Sequence, residues 1–216
     1  LGATSSTVSF TVTGGTGSEV TFFDDFNDGI ADGWTPQLGT WQVIDGEYFT
    51  SIGVGATAIS TVDNVSFTDG IIEVKLRIGD TQVGFRQGIV FRYMDSANYY
   101  IFIISDEYDR VQFMRYSPFD DPTYGGGLGY YVTVPIYANT VYSLKVEVKG
   151  NKFAGFLNDN EIISVTDNTF ATGKVGLYGY RTDVFFDNFL VKEACVGISP
   201  RYQSGPPGAT LAYTVT

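Results

Sequence analysis

Two stretches decide how this chain is read: FFDDFNDGIADGW at Phe22–Trp34 and KVGLYGYRTDVFFDNFLV at Lys174–Val191. Each joins a short run rich in Phe, Val or Tyr to a turn of Asp, Asn or Gly. Alternation over a few residues, closed by turn formers, is the pattern of a half-buried strand. Between the two stretches lie about a dozen similar segments, a density that belongs to sandwiches and barrels. The first and last of these strands also bring carboxylates, Asp24, Asp25 and Asp28 at one end and Asp187 at the other.

Working outward, Gly39–Ile44 and Glu47–Ser51 make a hairpin across Asp45-Gly46, a strong two-residue turn signal. Gly70–Ile78 sets Ile72, Val74, Leu76 and Ile78 on one face and Glu73, Lys75 and Arg77 on the other. Such a strand has one side in a core and one in water. Val83–Met94, Ala97–Ser105 and Arg110–Tyr116 read as a meander, followed by a glycine-rich loop at Ser117–Gly129. Val141–Lys149 alternates cleanly with Tyr142, Leu144, Val146 and Val148 inward. Phe153–Leu157, Glu161–Val165, Val175–Tyr180 and Val184–Val191 complete the set, and no segment reads as a helix. The expected fold is all-β: a two-sheet antiparallel sandwich of jelly-roll type with additional terminal strands.

The ends differ in character from this body. Thr7–Thr13 is an alternating strand, and Gly14–Ser18 a flexible joint after it. Beyond Glu193 the chain carries Pro206-Pro207-Gly208 and then a last alternating strand, Ala209–Thr216. The expected division is therefore residues 1–19, a sandwich over 20–193, and a tail over 194–216. A lone strand cannot satisfy its own backbone groups. The tail is expected to pair with a sheet edge, that of Thr7–Thr13 in this chain or in another copy. Leu1 opens without an initiator Met or a signal-peptide pattern, which reads as a processed product or an excised fragment.

Composition narrows the function. The chain has 216 residues, 13 basic and 24 acidic, a net charge of −11, with no His and one Cys. That field repels a phosphate backbone and argues against nucleic acid. One Cys and no His cannot build a tetrahedral zinc site, and Cys195 makes no disulfide within the chain. No run of 18 apolar residues is present, so no helical membrane span is expected. The 15 Tyr and 17 Phe suit a pleated surface first and ligand platforms second.

The succession DDFNDGIADGW, GTWQVIDGEY, GIVFRYMDSANYYIF, YSLKVEVKGNKFAGFLNDNEI and GKVGLYGYRTDVFFDNFLV resembles a concanavalin-A-like lectin/glucanase sandwich over Val20–Lys192. The nearest branches are laminin-G-like modules and keto-disaccharide-hydrolase-like domains of secreted proteins. The tail is similar to the start of an immunoglobulin-like repeat of surface proteins. What the resemblance implies is a calcium ion, with ligands from Asp25 and Asp187 and a carbonyl near Asp45-Gly46. Asp24 and Gly46 join that candidate set, since calcium takes several oxygens. The plainer reading makes Asp24 and Asp28 turn residues and Asn188 a strand-end cap. Hydrolases of this fold carry paired acids on one strand, as E-x-D-x-E or E-x-D-x-x-E; IIEVKLRI and VYSLKVEVK show neither. Glu73, Asp69 and Glu147 then read as surface charges, and no catalytic residue is assigned.

The candidate ligand residues are Arg92, Asp95, Asn98 and Tyr100 around the 95–98 turn, and Phe119, Tyr124 and Tyr130 on the glycine-rich loop. Rings stack on the C–H faces of sugars while Arg, Asp and Asn bond the hydroxyls. Half of that constellation is also what strand alternation alone produces at Tyr99-Tyr100. Asn64-Val65-Ser66 is an N-glycosylation sequon. The expected function is a non-catalytic extracellular module, cell-surface associated, that binds carbohydrate (a surface glycan) or another surface ligand and is stiffened by calcium. The rival readings are a filament or surface-layer subunit that self-associates through its terminal strands and, third, a glycoside hydrolase.

Overall fold

The computed structural model describes residues 18–194, apart from 54, 80–85, 121–124 and 182. The strands Thr7–Thr13 and Ala209–Thr216, the self-association expected of them, Tyr124 and Cys195 lie outside the described residues.

Fifteen strands are described: β1 Ser18–Asp24, β2 Trp34–Leu38, β3 Gln42–Ile44, β4 Glu47–Ser51, β5 Thr57–Val62, β6 Gly70–Ile78, β7 Arg86–Asp95 and β8 Asn98–Ser105. They continue with β9 Arg110–Tyr116, β10 Gly126–Thr133, β11 Val141–Lys149, β12 Lys152–Leu157, β13 Asn160–Thr166, β14 Lys174–Tyr180 and β15 Asp183–Ala194. They form two antiparallel sheets. One runs β13-β12-β11-β6-β15-β4-β3, with β1 on β15; the other runs β10-β9-β8-β7-β14-β5-β2. No helix among the described residues is long and apolar enough to cross a membrane, which leaves strand-built spans unaddressed.

The core between the sheets is drawn from the faces that alternation assigns. Ile72, Val74, Leu76 and Ile78 of β6 are buried, as are Tyr142, Leu144, Val146 and Val148 of β11. From the other sheet they meet Ile89, Phe91, Tyr100, Phe102, Ile104, Val111 and Phe113 in one cluster. The Asp45-Gly46 turn has φ of 51° and 79°, the two left-handed residues that a tight hairpin matched to strand twist requires. Trp34 is a second centre of packing, its ring 4.8 Å from Phe189 and 5.4 Å from Tyr48.

Three strands were not expected. β2 contains Pro36 and holds an edge, the position where a missing N–H does least harm. β5 is small and covered on both sides, so it shows no alternation. β10 (GGLGYYVT) lies where the sequence reads partly as loop; it is the other edge of its sheet, with a register shift between Leu128 and Val132.

Candidate functional site

The outer face of the β10-to-β2 sheet is built differently from an ordinary solvated surface. Odd and even positions of β8 and β9 separate cleanly: Tyr99, Ile101 and Ile103 are apart from Tyr100, Phe102 and Ile104, and belong with Met114 and Tyr116. Ile59, Val90, Tyr93 and Tyr178 join them in a second buried cluster outside the main core. Over its middle the Tyr99 and Tyr116 rings stack at 4.7 Å, and the Tyr116 and Tyr178 hydroxyls meet at 3.2 Å. Arg86 reaches in from the start of β7 and donates through Nη1 to the Tyr116 hydroxyl at 3.3 Å. Burial pushes the Tyr99 and Tyr178 phenols far up, so this platform stays neutral and apolar.

One end of that face carries two buried polar atoms, Arg110 Nε and Gln112 Oε1, without a hydrogen-bond partner. On β9, Arg110 and Gln112 precede Met114 and Tyr116 on the same side, as period-2 geometry requires. The Arg110 guanidinium carbon lies 4.5 Å from the Tyr108 ring centroid and 5.6 Å from that of Tyr131. Both rings are open to solvent, at 47% and 56% exposure. Arg110 Nε is buried without a hydrogen-bond partner, and so is Oε1 of Gln112, a residue only 8% exposed. Gly127 on β10 leaves room for the Gln112 amide: a Cβ there would stand 2.7 Å from its Nε2. The Arg110 pKa is lowered, first by burial and then by the like charge of Arg86, while Tyr108 and Tyr131 oppose that shift. The arrangement presents cationic N–H donors between two exposed rings, with a buried acceptor beside them. Planar apolar faces flanking a few fixed polar groups are what a sugar ring needs.

The residues expected from sequence are distributed otherwise. Arg92 is 2% exposed and sits at φ 49° in β7. Its guanidinium donates to the carbonyls of Phe170, Thr68 and Gly150 at 2.7–2.8 Å, which ties three loops together. Tyr100 points into the core, donating to Asp167 and accepting from the Phe170 N–H at 3.0 Å. Burial and the Asp167 bond push its phenol up to about 12. These two are internal anchors, not surface contacts. Asp95 accepts from Ala97 N–H and from the Asn98 amide, so these two residues close their own turn. Phe119 and Tyr130 are exposed at 93% and 62%. Asn64 is exposed in a turn, where a glycan would have access. Arg110, Gln112, Tyr108 and Tyr131 were missed, although R-x-Q-x-M-x-Y along β9 was the available signal: an outward row too rich in long polar and aromatic groups for plain solvent.

At the β1–β2 turn, Asp24 accepts from the Phe26 N–H at 2.8 Å and from Trp34 Nε1 at 2.9 Å, and burial raises its pKa. Asp25 and Asp28 cap turns by accepting from Asn27 and Ile30 N–H groups. A Cβ at Gly46 would stand 3.2 Å from Asn27 Oδ1, so the 45–46 turn abuts this loop. Asp187 is on β15 with its Oδ2 2.6 Å from the Asn188 amide nitrogen, and burial raises its pKa. Among the described residues no three Asp, Glu, Cys or His side chains converge as a metal site. Calcium needs about six to eight oxygens, so a calcium ion here would depend chiefly on main-chain carbonyls. Glu73 and Glu147 lie on the outer face of the other sheet, with Lys145 opposite Glu73 and its Nζ 2.8 Å from Glu147.

Comparison with known proteins fits this architecture. A levanase of Bacillus subtilis (strain 168) is 29% identical over 164 residues, 75% of this chain and 23% of that protein; the chain thus spans under a quarter of that relative. The carbohydrate binding module CBM66 from Bacillus subtilis superposes with a TM-score of 0.66 at 26% identity, covering 74% of this chain and 95% of that one. A Bacillus licheniformis β-glucanase shares the fold alone: TM-score 0.59, 14% identity, 82% and 98% coverage. The two-sheet sandwich is accordingly of the concanavalin-A-like lectin/glucanase kind. With residues 21–192 matching its family pattern, the chain belongs to the 3-keto-alpha-glucoside-1,2-lyase-like domain family.

Proposed function

We propose that this chain is a non-catalytic carbohydrate-binding module of an extracellular protein, and that it holds its sugar at the end of the β10-to-β2 sheet where Tyr108 and Tyr131 are exposed, beside the buried cluster of that face. The observation that carries the reading is the Tyr108–Arg110–Tyr131 arrangement beside the unsatisfied Gln112 Oε1. A similar solved structure is titled a carbohydrate binding module, which supports the same reading. The non-catalytic part is supported by the strands IIEVKLRI and VYSLKVEVK, which lack the paired-acid pattern, and by Lys145, which sits opposite Glu73 and pairs with Glu147. Hydrolysis needs two acids flanking one bond.

Calcium enters the proposal as an ion held mainly by main-chain oxygens near Asp25, Asn27 and Gly46, with chelation lowering the melting temperature; an unmoved melting curve removes it. The binding test is affinity electrophoresis of the chain through gels containing levan, the polymer in the relative's name, and a panel of other polysaccharides. Retardation by at least one is expected, with Tyr131→Ala and Tyr108→Ala each weakening it about tenfold, near 1.4 kcal/mol. A chain that migrates unretarded through the whole panel, or variants that bind as the parent does, would overturn it.

A further inference from the structure

We infer that the sugar taken by this face is acidic, its carboxylate or sulfate group seated on the Arg110 guanidinium between Tyr108 and Tyr131. This deepens the carbohydrate-binding reading and rests on it. Four arginines can be compared directly. Arg77, Arg92 and Arg115 each have a carboxylate within ion-pair distance, Glu47, Asp69 and Asp120 respectively. The Arg110 side chain has neither an ion pair nor a hydrogen bond among the described residues, and its Nε is buried.

Asp106, Glu107 and Asp109 stand in the turn just before Arg110, yet among the described residues none of them forms an ion pair with its guanidinium. The adjacent Asp109 is engaged elsewhere, accepting from the Ile136 N–H at 3.0 Å. The charge acting on Arg110 is that of Arg86, which is of the same sign. A guanidinium offers five donors and no acceptor, and its planar fork matches carboxylate and sulfate oxygens.

Gln112 adds a second requirement. It is over nine-tenths buried, and its Oε1 lacks a donor. A neighbouring sugar hydroxyl supplies that donor, while the exposed Tyr108 and Tyr131 rings cover the apolar ring face. An anionic group, a hydroxyl and an apolar face together describe a uronic acid or a sulfated sugar. A neutral sugar would leave the Arg110 charge beside Arg86 without a counter-charge.

The experiment uses polysaccharide pairs that share a backbone and differ in charge. Polygalacturonate is set against methyl-esterified pectin for the carboxylate, and dextran sulfate against dextran for the sulfate, with levan as a neutral reference. Each is titrated calorimetrically into the full chain and into Arg110→Gln and Arg110→Lys. One charged member is expected to bind at least about tenfold tighter than its neutral partner, Arg110→Gln to lose that preference, and Arg110→Lys to recover part of it, since the charge returns without the fork. The pair that shows the preference tells carboxylate from sulfate.

Equal binding of charged and neutral partners, or a preference that survives Arg110→Gln, overturns the inference. Binding to levan alone overturns it too but leaves the carbohydrate-binding reading standing, whereas no binding to anything removes both. The comparison of polysaccharides on the parent chain stands even if a variant fails to fold.

Discussion

Arg110 and Arg115 sit five residues apart on β9, and alternation puts them on opposite faces without saying what either one meets. In the structure they have opposite fates. They lie about 17 Å apart along the strand. Arg115 is saturated: Nε and Nη2 donate to the two oxygens of Asp120 at 2.8 and 2.9 Å, and Nη1 donates to Asp167 and Thr169 at 2.8 and 2.9 Å. Ser117 and Tyr100 complete the same network by donating to Asp120 and Asp167. This network locks the end of β9 to the segment after β13. Arg110 has two rings for neighbours and no described acceptor. The lesson is that a cation whose bonds are all made inside the chain serves the fold, and one left with open donors serves something outside it.

The comparison breaks most readily at Arg115. Arg115→Leu would leave Asp120 and Asp167, both largely buried, without their cation. Removing one partner of a fully buried pair costs about 3–5 kcal/mol, and this part-buried network, with Arg115 at 22% exposure, is expected to lose about 2–3 kcal/mol. For a domain of this size that lowers the melting temperature by roughly 10 °C. A loss below about 1 kcal/mol, in the range of an exposed pair, would show that the network is ornamental.

The pH dependence sharpens the same point. Hydrogen bonds from Arg115 hold Asp120 below the usual carboxylate range, against its burial. Burial raises Asp167, but the bonds from Tyr100 and Thr169 and the Arg115 charge outweigh it, so its pKa also falls. For a group depressed in the folded state, the stabilisation is fully present above its unfolded pKa of 3.8. It is lost as pH falls from there through the folded value. Melting followed from pH 6 downward should therefore show a steep acid limb (the span is about the usual carboxylate window), and Arg115→Leu should flatten it. Parallel limbs in parent and variant would remove Asp120 and Asp167 as its cause.

Smaller effects are expected at the other arginine. Arg110→Gln should change unfolding free energy by no more than about 0.5 kcal/mol, the range of a surface substitution, while abolishing the preference for charged sugars. A large destabilisation would mean that Arg110, like Arg115, is a structural residue. Smallest of all is Gly127→Ala. Its Cβ would press on the flexible end of Gln112, so the amide should turn aside with little change in melting and a loss of affinity of about threefold. Unchanged affinity would take Gln112 out of the site.

Much of the fold was legible because the strands obey period 2. β6 and β11 bury the residues that their alternation assigns, and the Asp45-Gly46 hairpin turns as its residues demand. β2, β5 and β10 escaped for physical reasons. A proline at an edge, a strand covered on both faces and a glycine-rich edge all lack alternation, and all are held by their neighbours rather than by local preference. The candidate site was harder still. Around Arg92 and Tyr100 the sequence offers the right residue types for a sugar, yet the left-handed turn at Arg92 sends its side chain to three carbonyls of distant loops.

Periodicity and composition thus give the class of architecture, the faces of its clearest strands and the acidic, histidine-free chemistry available to it. Both are local and need no knowledge of partners. Which polar side chains are satisfied depends instead on how the sheets pack. Arg115 finds Asp167 across 52 residues and Arg92 finds Phe170 across 78, while Arg110 is carried to an end of the sheet where no described acid meets it. A hydrogen bond is a property of two groups in space, and the chain brings those groups together only after the sheets have closed.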